Sequence, residues 1–311
     1  MPMPSAKPSF DTVVRPYGMA AIADAAAHVA AGRPVAVPTE TVYGLAADAT
    51  NAHAVTAIYA AKGRPRFNPL IVHVLDLDAA ERIANFNDHA RALAAQYWPG
   101  PLTLVVPLRS DSAIASLVTA GLSTIAIRVP AHPAMRALLK ACARPLAAPS
   151  ANSSGTISPT RAAHVLTSLG GRIAMIVDGG ACTVGIESSI VAVGNDGALR
   201  LLRPGPIDLG LEVENDGVIE APGQLASHYA PSKPLRLNAT HAEPNEWLIG
   251  FGRVAGDATL SAHGDVIEAA AALFDCLHHA DASPKPLIAI APIPDEGLGR
   301  AINDRLSRAA A

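Results

Sequence analysis

Apolar and polar positions change their spacing several times along the chain, and each change predicts an element. Residues 19–31 place apolar side chains at helical spacing and stop at Gly32 and Pro34. A short apolar strand over 34–38 runs into a polar loop over 39–44. Residues 54–62 read as a helix ended by Gly63 and Pro65, 70–74 as a strand, and 88–97 as a helix ended by Pro99-Gly100-Pro101. Strands are expected over 102–107 and 124–129, a helix over 133–141, and a strand over 146–149 that opens into Ser150-Ala151-Asn152. A helix over 160–169 has Ser158 as a ready N-cap and Pro159 as a ready first residue. A strand over 173–177 leads into Asp178-Gly179-Gly180, and 189–193 with 199–202 suits a hairpin across Gly194-Asn195-Asp196-Gly197.

Strands and helices interleave, which predicts an α/β (α+β) domain, and the hairpin-short connections favour a mixed sheet over a strictly parallel one. Residues 215–234 lose periodicity and collect Gly, Pro, Ser and Asn, the composition of a linker. Beyond them, strands over 247–251 and 287–290 alternate with helices over 265–280 and 298–309, a pattern for a small parallel sheet. The expected organisation is a domain over 1–214, a linker over 215–234 and a smaller domain over 235–311.

Composition narrows the function. Half of the 311 residues are apolar, enough for a sizeable core, and the net charge of -3 lacks the basic footprint of a nucleic-acid-binding chain. Cys142, Cys182 and Cys276 are far apart and form no CxxC pair, so neither a zinc knuckle nor a disulfide framework is expected. The first ten residues lack the apolar region of a signal peptide, and no apolar run is long enough to span a bilayer, so a cytoplasmic location is expected.

Common nucleotide motifs fail. No GxxxxGK[ST] occurs, and Gly250, Gly252 and Gly256 approach GxGxxG with the third glycine one place late. His278 and His279 lie near Cys276 without metal-ligand spacing, which suits a solvated helix face. A cationic stretch is more informative: Lys62, Arg64 and Arg66 fall within five positions. Cations in a last helical turn complement the dipole, yet Arg64 and Arg66 lie past the helix end, and their forked donors suit phosphate or carboxylate. The hydroxyl-rich loop from Ser150 to Thr160 is open to two readings, a cap alone or a cap beside an anionic ligand. Arg128 and Arg203 each end an apolar strand, and a buried arginine needs a partner. For Arg128 that partner is an internal acid by default and a substrate carboxylate otherwise.

Taken together, these stretches resemble the Sua5/YrdC/YciO family. The matching segments are Pro38-Thr-Glu-Thr-Val-Tyr-Gly-Leu45, Lys62-Gly-Arg-Pro-Arg-Phe-Asn-Pro-Leu70 with His73, and Trp98-Pro-Gly-Pro-Leu-Thr103. They continue in family order with Ile127-Arg-Val-Pro130, Pro149-Ser-Ala-Asn152, Gly185-Ile-Glu-Ser-Ser-Ile190 and Leu202-Arg-Pro-Gly205. His228-Tyr229-Ala230-Pro231 resembles the linker of the two-domain members, and 297–306 resembles the end of their C-terminal domain. Ser189 stands where the family often has Thr, which keeps the hydroxyl.

The resemblance implies a YrdC-like twisted mixed sheet with flanking helices, plus a smaller Rossmann-like C-terminal domain. It implies synthesis of threonylcarbamoyl-AMP from L-threonine, bicarbonate (or carbon dioxide) and ATP, with release of pyrophosphate. The product would serve a separate transferase complex that modifies ANN-decoding tRNAs; direct tRNA contact stays open. Lys62 and Arg64 correspond to a catalytic phosphate clamp. Asn68, Thr124, Ser150, Ser158, Arg203 and Tyr229 correspond to further ATP contacts, Tyr229 as part of a lid. Thr41, His73, Arg128, Ala148 through its backbone, and Ser188 correspond to threonine contacts. Mg²⁺ is expected to arrive with ATP, held by phosphates and waters, with no protein ligand named. Arg66 is left at the surface by this scheme. The competing expectations are a non-catalytic RNA-binding module that uses the same cations and an accessory carbamoyl-transfer or hydrolase domain.

Overall fold

The computed structural model describes residues 10–213, 219–224 and 228–311. Its first part runs β1 (Val13–Pro16), α1 (Met19–Ala30), β2 (Val35–Pro38), β3 (Tyr43–Asp48), α2 (Ala52–Lys62), β4 (Ile71–His73), α3 (Leu77–Glu81) and α4 (Asp88–Tyr97). It continues with β5 (Leu102–Pro107), α5 (Ser116–Thr119), β6 (Thr124–Arg128), α6 (Pro133–Cys142), β7 (Leu146–Ala147), α7 (Ala162–Leu169), β8 (Met175–Asp178), β9 (Ser189–Val193) and β10 (Leu199–Arg203). The second part is β11 (Leu235–Arg236), β12 (Glu246–Gly250), β13 (Ala258–Thr259), α8 (Val266–Ala282), β14 (Leu287–Ile290) and α9 (Leu298–Ala309).

The first ten strands form one sheet in the order β1-β8-β2-β3-β7-β4-β6-β5-β9-β10. Parallel and antiparallel pairs mix within it: β4 runs parallel to β6 and antiparallel to β7, and β9 with β10 forms the expected hairpin. The second sheet, β11-β14-β12-β13, is parallel throughout. This is the mixed sheet and small parallel second unit that the sequence pattern predicts, and the YrdC-like and Rossmann-like arrangement that the family resemblance implies.

Local chemistry explains most boundaries. Asn51 caps α2 by accepting from the amides of His53 and Ala54, and Gly63 ends it in the left-handed conformation at φ 61°. Asp265 caps α8 in the same way. β3 sits where a polar loop was expected to extend to residue 44. All six of its residues are buried, so both faces are covered and no alternation betrays a strand.

The α7 start also departs from expectation. The helix begins at Ala162 with Arg161 at the cap position and no side-chain cap bond, so neither Ser158 nor Pro159 starts it. Ser158 instead donates to the Glu187 carboxylate, a stronger partner than a helix amide. The near-GxGxxG glycines form a tight turn rather than a phosphate loop. A Cβ at Gly250 would lie 2.3 Å from the Val254 carbonyl, and one at Gly256 2.3 Å from that of Leu248. Close chain packing accounts for them, and no helix starts there. The His278 face is not solvated either. Cys276 is buried, and the His278 ring stacks on His164 at 3.8 Å with Nε2 3.1 Å from the Ser158 carbonyl, so α8 docks on the first part.

Two large apolar clusters sandwich the first sheet. One holds Leu45, Ile58, Val72 and Ile127, and the other Ile22, Val37, Met135 and Leu138. A third cluster, Ile71, Val105, Ala126, Ile190, Ala192 and Leu202, is covered by Ala221 of the linker segment. That face carries the candidate site. Alternation places Ile71 with His73, and Thr124 with Ala126 and Arg128, on the same side of the sheet.

Candidate active site

The linker closes over a cavity of about 50 Å³. Its walls include Thr41, Arg64, His73, Arg128, Ala148, Ser150, Glu187, Ser188, Arg203, Gly223, His228 and Tyr229. Nine of the thirteen residues expected at the site therefore meet at one place. The other four, Lys62, Asn68, Thr124 and Ser158, do not line it, and each has an identifiable position.

Lys62 ends α2 and is buried. Its Nζ donates to the carbonyls of Ser150 and Asn152, so it holds the hydroxyl loop onto the helix end. Burial, then the positive charges of Arg64 and Arg172, pushes its pKa well below the usual lysine range. Asn68 accepts from Arg64 Nη2 at 2.6 Å and is fully buried. Thr124 shares the site's face of β6, four residues and about 13 Å before Arg128. Ser158 lies behind the wall on Glu187.

Arg64 and Arg203 carry the electrostatics. Arg64 is 7% exposed and donates only to oxygens of Asn68 and Pro69. Arg203 is 4% exposed and donates to the Ser188 carbonyl and hydroxyl and to the Pro222 carbonyl. Among the described residues neither has a carboxylate within ion-pair distance. Burial lowers the pKa of both, that of Arg64 to about 10. Two desolvated guanidiniums that no carboxylate pairs form a pocket suited to an anion. Arg66 is exposed, as expected.

Arg128 differs. Its Nη2 meets Glu40 Oε1 at 2.6 Å, Nη1 donates to Thr41 Oγ1 at 2.9 Å, and Nε donates to the Gly100 carbonyl at 3.1 Å. The default expectation of an internal acid holds for it. His73, paired with Arg128 across β4 and β6, is pushed down to about 3 by burial and then by the Arg128 charge, so its imidazole is neutral near pH 7. Ser188 shares a hydroxyl–hydroxyl bond of 2.7 Å with Thr103.

Tyr229 roofs the cavity with φ +63° and 1% exposure. Its ring centroid lies 5.7 Å from that of Phe274 on α8 and 4.1 Å from that of His228. The amide of Ala230 donates to the Gly155 carbonyl, which ties the roof to the hydroxyl loop. Six buried side-chain polar atoms lack a partner among the described residues, and four belong here: Asn68 Nδ2, His73 Nδ1, His228 Nδ1 and Tyr229 Oη. Buried polar groups are normally satisfied, so this concentration marks a place where a polar ligand completes the bonding.

A larger cleft of about 740 Å³ opens between 201–213 and the second sheet. Its charged lining is mostly acidic, with Asp208, Glu212, Asp295 and Asp304, and does not suit a polyphosphate. Sequence reasoning assigned no role to Glu40, Glu187 or Arg305. Arg305 left one signal, a charge placed on the apolar stripe 298, 301, 302, 305, 306 and 309 of α9.

Comparison with known proteins identifies the relatives of this chain. The Sua5/YciO/YrdC family model, described as "Telomere recombination", matches residues 27–205. A second, described as "Threonylcarbamoyl-AMP synthase, C-terminal domain", matches residues 189–311. A threonylcarbamoyl-AMP synthase of Bacillus subtilis is 42% identical over 93% of this chain and 92% of its own length. One from Pyrococcus abyssi is 36% identical over 92% of each chain. The crystal structure of P. abyssi Sua5 complexed with L-threonine superposes with a TM-score of 0.88 at 34% identity, covering 96% of this chain and 98% of that one.

Proposed function

The chain belongs to the Sua5/YrdC/YciO family, and on that premise we propose that it makes threonylcarbamoyl-AMP from L-threonine, bicarbonate (or carbon dioxide) and ATP, releasing pyrophosphate. The observation that carries this reading is the pair of buried, acid-free guanidiniums, Arg64 and Arg203, in one cavity with Arg128 and His73. The triphosphate lies against Arg64 and Arg203, and L-threonine takes the Thr41, His73, Arg128, Ala148 and Ser188 end. Lys62 acts by holding the Ser150–Asn152 loop in place, and Asn68 by holding Arg64. Thr124 is reached by the nucleotide once it extends along the β6 face.

The threonine amine attacks the carbon of bicarbonate (or carbon dioxide) to give a carbamate, the amine losing a proton and bicarbonate losing water. A carbamate oxygen then attacks the α-phosphorus, and the bond to pyrophosphate breaks. Charge accumulates on the departing phosphates, so positioning and charge stabilisation by Arg64 and Arg203 dominate. His73 is too weak a base to take the amine proton at neutral pH. Its neutral imidazole serves as a hydrogen-bonding partner.

Ligand pockets of this size class run to about 300 Å³ and more, whereas the cavity holds about 50 Å³. Pro222, Gly223, His228 and Tyr229, which line it, therefore move away for ATP to enter and reclose with Tyr229 over the nucleotide. Mg²⁺ accompanies ATP. The residues present do not form a resident metal site: Glu40 and Glu187 are committed to arginines, and no metal-binding cluster occurs among the described residues. No helix among them is long and apolar enough to cross a membrane, in keeping with a cytoplasmic enzyme. The product feeds a separate transferase acting on the adenosine beside the anticodon of ANN-decoding tRNAs.

The RNA-binding alternative is disfavoured because the cations are buried beneath the linker, out of reach of a nucleic-acid backbone. The deciding assay is pyrophosphate release from ATP with and without L-threonine and bicarbonate. Dependence on both is expected; RNA affinity without any such release would overturn the proposal.

A further inference from the structure

The C-terminal domain sends one charged side chain into the back of the site. Arg305 of α9 is 0% exposed, the largest fully buried side chain among the described residues. Nε meets Glu187 Oε2 at 3.1 Å, and Nη2 donates to the Glu187 carbonyl at 3.4 Å. Nη1 donates to the Pro204 carbonyl at 2.6 Å and to Asp304 Oδ2 at 3.0 Å. The guanidinium also lies 5.5 Å from the Tyr229 ring centroid. One group therefore grips the residue before Ser188, the residue after Arg203, and the roof.

Burying an arginine this deeply is costly, and a staple between two domains needs no charge at all. The location of Glu187 explains the choice. Glu187 lines the same cavity as Arg64 and Arg203, close enough for its charge to act on Arg203. A carboxylate left unpaired there would turn to Arg203 and cancel a cation that the polyphosphate needs. Both of its oxygens are occupied instead, one by the Ser158 hydroxyl and the other by Arg305.

We propose that Arg305 is a positioning residue of the adenylation site, which holds the Glu187 carboxylate away from Arg203 and so keeps Arg203 available to the triphosphate. The proposal rests on the assignment of Arg203 to ATP. It gives the C-terminal domain a part in nucleotide binding, although Arg305 does not line the cavity.

The test uses the full chain carrying Arg305→Met, Arg305→Lys, Glu187→Gln, and each Arg305 change combined with Glu187→Gln. KM for ATP and for L-threonine are read from pyrophosphate release, affinity for a non-hydrolysable ATP analogue from calorimetry, and melting temperature separately. Arg305→Met is expected to weaken analogue binding and raise KM for ATP by about tenfold or more, the scale of losing a charge-assisted contact. KM for L-threonine should change by less than about threefold, Arg305→Lys should recover most of the loss, and neither Arg305 change should weaken binding further once Glu187 is Gln. If Arg305→Met fails to fold, the Arg305→Lys pair with and without Glu187→Gln carries the same comparison. An equal ATP penalty in both Glu187 backgrounds, or a lowered melting temperature with unchanged analogue affinity, would overturn the proposal. Absence of threonine-dependent release by the unaltered chain would overturn the reaction instead, and analogue binding would still report on Arg305.

Discussion

Replacing Tyr229 by Phe should move apo stability and nucleotide affinity in opposite directions. The ring stays, so its packing on Phe274 and His228 and over the Arg305 guanidinium is retained. Only Oη is lost, a buried hydroxyl with no partner among the described residues. An unsatisfied buried polar group costs about 1–3 kcal/mol, and deleting it leaves no new orphan behind. A net gain of about 1 kcal/mol in the unliganded protein is a conservative expectation, a rise of roughly 1–2 °C in melting temperature for a chain of this length. If Oη is kept for the bound nucleotide, the same change removes a hydrogen bond to a charged group, worth about 1.5–3 kcal/mol, and weakens the ATP analogue about 10- to 100-fold. Differential scanning fluorimetry without ligand and titration calorimetry with the analogue measure the two halves. A variant that melts lower than the parent and binds the analogue equally well would refute the reasoning, because the hydroxyl would then contribute to the closed form and not to the complex.

Arg64→Ala should cut threonine-dependent pyrophosphate release by roughly 100- to 1000-fold, the scale of one oriented charge-stabilising donor, and near-normal turnover would remove Arg64 from the phosphate site. Glu40→Gln should cost about 3–5 kcal/mol in urea unfolding at neutral pH, since it strands Arg128 as a buried cation. The pH dependence follows from the same pair. Burial tends to raise the Glu40 pKa, but the charge and hydrogen bond of Arg128 outweigh it and hold it below 4.5. The stabilisation is therefore complete above that value and drains as pH falls through the lower folded one, so the parent should lose stability more steeply than Glu40→Gln in acid.

Much of the site was legible because its signals are local. The cations at the end of α2 and the Gly63 stop occupy consecutive positions, and the strand-end arginines Arg128 and Arg203 stand out against apolar runs. The expected partner of Arg128 was also legible in kind, since a buried guanidinium demands an acid, but nothing nearby in sequence names Glu40, 88 positions away. Ser158 misled for the opposite reason. A serine before a proline and an apolar run has the pattern of an N-cap, and the Glu187 carboxylate, which outcompetes a helix amide, comes from another strand's entry. Lys62, Asn68 and Thr124 were expected to touch the nucleotide and do not line the cavity, because only packing decides which polar groups face it and which support those that do.

Read alone, the sequence set the elements and their class: interleaved strands and helices, a second small parallel unit, and a concentration of cations and hydroxyls at element ends. These follow from side-chain periodicity and turn chemistry, which act over a few residues. Tertiary packing alone decided that Ala221 covers one face of the sheet and that Pro222, Gly223, His228 and Tyr229 help enclose a cavity of about 50 Å³. It alone decided that Glu40 neutralises Arg128 while Arg64 and Arg203 are left without an acid, and that Arg305 reaches across to occupy Glu187. Charge pairing in a buried site depends on distances of a few ångströms between groups far apart in the chain, and those distances exist only after the sheet and its two coverings have packed.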